Sequence, residues 1–132
     1  RPADARTCTM SARLTQYLIA VVFAVLGGWA LLAPGSVIAL TIRPEFQSDH
    51  YLATFAIRCF GAQACLFALI AFTANFTRRT FLAIGLALLP FFAFNYWFYF
   101  QIPLLTEVGL LDFVGNAIML GLCWHGWRVA EQ

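Results

Sequence analysis

Short polar breaks divide the apolar residues of this chain into four long stretches. A helix crosses a bilayer core with about 20 apolar residues. Residues 14–33 (LTQYLIAVVFAVLGGWALLA) have that length and no charge, and Pro34 and Gly35 then stop the run. Residues 51–75 form the second stretch, with Arg58 as its single charge. Residues 80–100 form the third, with Pro90 and Asn95 inside, and residues 110–127 the fourth, with Asp112 near its start. The joints at 43–50, 76–79 and 101–109 are short. Residues 36–42 are apolar but too short to span; they either lie at the interface or extend the first helix beyond a kink.

The pattern predicts an all-α integral membrane protein, an up-down-up-down four-helix bundle. One domain is expected over residues 14–129, after a polar, loose tail at 1–13. The first stretch outlasts the usual apolar core of a cleaved signal and lacks a clean A-x-A site, so it reads as a retained helix. Met10 also stands where a translation start is plausible, which leaves residues 1–9 as an extension or an artefact.

Composition strengthens the membrane reading. Hydrophobic residues make up 62% of the 132 and charged residues 11%, against about 45–50% and about 25% in soluble domains. A chain this small cannot hide so much apolar surface from water, so lipid is its natural solvent. The net charge of +2, without a basic stripe, speaks against nucleic acid as a partner. Every basic residue is Arg, which excludes a lysine Schiff base or phosphate-loop lysine and fits a GC-rich bacterial genome. Cys8, Cys59, Cys65 and Cys123 show no C-x-x-C spacing and read as small apolar fillers.

Charge placement sets an orientation. Four spans put the N-terminus, middle joint and C-terminus on one side, with Arg1, Arg6, Arg13, Arg78, Arg79 and Arg128. The other side's joints hold only Arg43. The positive-inside rule makes this N-in and C-in, with the bacterial inner (cytoplasmic) membrane as the expected location. Small residues should mark the contacts: Ala20, Ala24 and Gly28 on the first helix, Gly61, Ala64 and Ala68 on the second, and Gly115 and Gly121 on the fourth.

Polar groups inside the spans carry the candidate chemistry. At 1.5 Å per residue, Arg58, Asn95, Asp112 and Asn116 all fall roughly 3–10 Å below the outer ends of their helices. Gln63 lies deeper. Arg58 is expected to pair with Asp112 first and Glu107 second, with Asn95 and Asn116 satisfying the remaining positions. Such a cluster either fixes the bundle register or binds a polar head group through Arg58. Beside it runs FFAFNYWFYF (91–100), whose Phe91, Phe94, Tyr96, Trp97, Phe98 and Tyr99 would form an aromatic wall, with Tyr96, Trp97 and Tyr99 in the outer interface belt. Cys123 and His125 are too few for a metal site, and Trp124 and Trp127 read as an inner belt. No metal, catalytic set or phosphate loop is visible.

Three motifs, LLAPGSVIAL (31–40), RCFGAQ (58–63) and LDFVGN (111–116), resemble those of small four-helix bacterial membrane proteins of the DoxX-like class. The resemblance implies a four-helix bundle with an arginine on its second helix, and members of the class are linked to quinone or sulfur metabolism. Two functions remain. The first is an accessory or assembly subunit of a larger respiratory or photosynthetic membrane complex, docking lipids, pigments, other subunits or a second copy. The second is a binding protein or enzyme for a quinone, isoprenoid or lipid, held by the polar cluster against the aromatic wall.

Overall fold

In a computed structural model the described residues are 10–48 and 50–130. The N-terminal tail up to residue 9, with Arg1, Arg6 and Cys8, lies outside them, as do Asp49 and residues 131–132. The chain is all-α: α1 (Ala12–Leu32), α2 (Pro34–Thr41), α3 (Tyr51–Thr73), α4 (Arg78–Tyr96) and α5 (Leu111–Val129). A 3-10 turn spans Pro44–Phe46, and α4 runs on as a π-helical turn over Trp97–Gln101.

Local chemistry sets these boundaries. The Ser11 hydroxyl accepts from the Leu14 amide to open α1. Thr77 and Thr80 form a reciprocal capping box at the start of α4. Pro34 has no amide hydrogen, so the chain breaks at Ala33 and α2 starts anew as a separate short helix. Trp29 Nε1 donates to Ser36 Oγ at 2.7 Å and fastens that corner. Residues 36–41 thus belong to a second helix beyond a break, and Ile42 leaves it in an isolated antiparallel bridge to Leu105.

Three helical segments are long and apolar enough to cross a membrane: Ala12–Leu32, Tyr51–Thr73 and Arg78–Gln101. The fourth expected span, α5, is not among them. Asp112, Asn116, His125 and Arg128 dilute its apolar character over only 19 residues.

α1 is the central helix. It packs on α3 along one side and on α5 along another, and α5 in turn carries α4. The α1–α3 contact is made of small residues. A Cβ on Gly61 would stand 2.5 Å from the Leu31 amide nitrogen and 2.7 Å from the Gly27 carbonyl oxygen. A Cβ on Gly27 would stand 2.8 Å from the Ala64 Cβ. Ala64, Ala68 and Ala71 continue the buried face of α3, as the sequence stripe anticipates. On α1 the face runs through Ala20, Gly27 and Ala30. Gly28 was expected on it, yet a Cβ there meets nothing, and the same holds for Gly115 and Gly121 on α5. The tight glycine of α5 is Gly126, whose missing side chain makes room for the ring of the fully buried Phe81.

Candidate functional site

Two polar levels separate along the helices. At the first, the start of α1 meets the end of α3 and the turn into α4. Gln16 is 2% exposed. Its Nε2 donates to the Ala71 carbonyl at 2.5 Å and the Ala74 carbonyl at 2.7 Å, and its Oε1 accepts from the Phe76 amide at 3.2 Å. The last carbonyls of a helix have no partner within it, so one side chain here closes α3 and steers the chain into α4. Arg13 adds bonds to the Ala74 carbonyl and the Asn75 side chain. His125 Nε2 lies 2.8 Å from the Met10 carbonyl, which ties the end of α5 to the start of α1. Arg78 Nε donates to the Trp127 carbonyl at 2.9 Å, and its guanidinium lies 5.1 Å from the Trp127 ring centre. Gln16 was absent from the sequence candidates. A glutamine in the first turn of an apolar run looks like a rim residue, and only the position of the α3 end reveals its role.

The second level lies toward the opposite ends of α4 and α5. Asn95 is 4% exposed. Its Nδ2 donates to the Phe91 carbonyl at 2.8 Å and to Asp112 Oδ2 at 2.9 Å. Asn116 Nδ2 donates to the same oxygen at 3.0 Å, as its place one turn along α5 from Asp112 allows. Three of the expected cluster residues therefore meet, and among the described residues every buried polar side-chain atom has a hydrogen-bond partner.

The expected partner of Asp112 does not take part. Arg58 is exposed on α3, and Asp112 is held by the two asparagines instead. Gln63 and Glu107 are exposed as well. Spacing along a helix fixes height in the bundle but not direction around it. α3 turns its small-residue face to α1, and α5 lies against a different side of α1. Arg58 and Gln63 flank that small-residue face and stay uncovered.

The aromatic run is a ladder of rings. Phe91, Phe94, Tyr96, Trp97 and Phe100 are exposed, and Phe98 and Tyr99 are half-buried. Phe94 and Phe98 ring centres lie 6.5 Å apart, and those of Tyr96 and Phe100 5.4 Å apart. Phe92 turns the other way and meets Phe113 edge-on at 5.4 Å. Beyond the ladder, the two long joints knit together. Arg43 donates through its amide to the Leu104 carbonyl at 2.8 Å and through Nε to the Leu105 carbonyl at 3.0 Å. The Thr106 amide donates to the Thr41 carbonyl at 2.9 Å.

One open apolar cleft of about 320 Å³ lies between α4 and α5, beside Leu82, Leu86, Leu89, Leu120, Trp124 and Trp127. It sits at the arginine-rich end, away from Asn95 and Asp112. Among the described residues no three of His, Cys, Asp and Glu gather as metal ligands. Cys123 packs toward Gly85 while His125 reaches Met10, so the two separate. Comparison with known protein families, curated proteins and solved structures finds no match for this chain.

Proposed function

We propose that the chain is a four-span membrane protein, N-in and C-in, that serves as an accessory or assembly subunit by docking α3 onto other membrane helices. Four spans are supported by the ties at both levels. α5 is not among the helices long and apolar enough to cross a membrane, yet it is bonded to the start of α1 through His125 and to α4 through Asp112. The orientation is supported by Arg13, Arg78, Arg79 and Arg128 near one end against Arg43 at the other.

Arg58 carries the docking role. It lies seven residues into α3, roughly 10 Å along it, on a surface its own bundle leaves open. An arginine inside a span costs about 2.5–3.5 kcal/mol at mid-bilayer and favours a protein partner. A carboxylate or carbonyl on a neighbouring helix satisfies that need. The resemblance to the DoxX-like class fits an arginine-bearing α3. A head-group site combining Arg58 with Asn95, Asp112 and Asn116 has less support, because the three latter residues already satisfy one another and Arg58 stands apart.

Native gel electrophoresis of gently solubilised membranes tests the docking role. The wild type should migrate as an assembly well above its own mass, and Arg58→Leu should release it as a monomer. A monomeric wild type, or an assembly indifferent to Arg58→Leu, refutes docking through this face and leaves Arg58 reaching only the head-group layer.

A further inference from the structure

The α4–α5 cleft ends at a set of arginines. Arg78 touches its wall directly: Trp127 lines the cleft, and Arg78 both stacks on that ring and bonds its carbonyl. Arg79 and Arg78 stand three and four residues before the lining Leu82, and Arg128 stands four residues after the lining Trp124. Residues at these spacings share a helix face, so all three guanidinium groups rise from the turn just beyond the cleft. Arg79 and Arg128 are exposed. Arg78 spends only its Nε on Trp127, and its terminal nitrogens make no other hydrogen bond among the described residues.

The cleft itself is apolar and follows α4 from Phe81 to Leu89. That is roughly 12 Å along the helix axis, most of one leaflet of a core about 30 Å thick. Its long axis runs with the helices and ends at the charged rim. We infer that this cleft binds one anionic phospholipid, with an acyl chain between α4 and α5 and the phosphate held by Arg78, Arg79 and Arg128. Basic rims between helices on the cytoplasmic side recognise anionic head groups in this way. The planar guanidinium suits phosphate because it donates two parallel hydrogen bonds. The wall made by Trp124 and Trp127, with ring centres 5.1 Å apart, is amphipathic and suited to the depth where chain meets head group. The site is independent of Arg58, which is on α3, so the docking experiment and this one fail separately.

Native mass spectrometry of the full chain, delipidated and then offered phosphatidylglycerol or phosphatidylcholine with equal acyl chains, tests it. The wild type should retain the anionic lipid at least about tenfold better, since each arginine near the head group contributes about 1 kcal/mol. Replacing the three arginines by Gln should erase that preference, while replacing them by Lys should keep most of it. Leu86→Trp, which fills the cleft and leaves the rim intact, should lower retention of both lipids. Equal retention of the two lipids by the wild type overturns the proposal. So does an anionic preference that survives Leu86→Trp unchanged, because the arginines would then act as a bare surface patch. Millimolar inorganic phosphate should fail to displace the bound lipid; displacement would assign the site to phosphate alone.

Discussion

The α1–α3 and α4–α5 pairs are built by different rules. α1 and α3 meet backbone to backbone at Gly27 and Gly61, with alanines along the middle of the seam, the Phe23–Phe67 ring pair beside it and Gln16 clamping one end. α4 and α5 meet through side chains: Phe81 fills the notch at Gly126, Asn95 bonds Asp112, and Phe92 meets Phe113. In lipid there is little hydrophobic attraction between helices, so close packing and hydrogen bonds must hold them. The first pair relies on proximity and leaves no room for a guest. The second relies on a few large or polar anchors, and between the anchors a cleft stays open. The difference separates the roles proposed above. In the proposed roles, the tight pair would back α3 while its other face docks, and the loose pair would offer a groove for a lipid chain.

The comparison can be broken from either side. Removing the main anchor of the loose pair should cost most: Phe81→Ala empties a fully buried site and should lower unfolding free energy by about 3 kcal/mol, measured by denaturant titration in a fixed detergent. A loss as small as that of a surface substitution would mean that Phe81 is not the anchor. Gln16→Leu comes next. It strands the Ala71 carbonyl and the Phe76 amide and leaves the Ala74 carbonyl to Arg13 alone, with an expected loss of about 2 kcal/mol. Faster hydrogen exchange at the α3–α4 turn should accompany it, and an unaltered turn would contradict the clamp. Asn95→Leu should lose about 1 kcal/mol, the usual scale of a hydrogen bond between membrane helices. A much larger loss would point to a functional polar site that the bonds to Phe91 and Asp112 do not describe. Smallest is Gly28→Ala. Its Cβ meets nothing, so stability should stay level or rise by up to about 1 kcal/mol from helix propensity.

What the sequence made legible follows from what periodicity encodes. The apolar runs placed the helices closely, because span length and Pro34 are local signals. The α3 stripe of Gly61, Ala64 and Ala68 was legible for the same reason. On α1, Ala20 lies on the buried face as expected, but the glycine of the contact is Gly27 and not Gly28: two adjacent glycines leave the choice of face to the partner helix. Asn95, Asp112 and Asn116 were rightly placed at one level, since depth is countable along a helix. Arg58 was assigned to them on depth alone, and direction around the bundle depends on which helices are neighbours. Gln16 and the α4–α5 cleft were not legible at all, because each exists only where separate segments meet.

The central claim is that close backbone approach sets the middle of one pair, whereas side-chain anchors alone set the other. The same substitution on each side tests it most directly. Gly61→Ala puts a methyl group 2.5 Å from the Leu31 amide nitrogen, whereas Gly85→Ala puts one at 3.5 Å, in ordinary contact, from the Cys123 Cβ. Unfolding free energies of both variants should be measured against wild type in one detergent. The account predicts a loss of about 2 kcal/mol or more for Gly61→Ala, because α1 and α3 must separate, and no loss for Gly85→Ala. Equal effects, or a larger loss at Gly85, would contradict it.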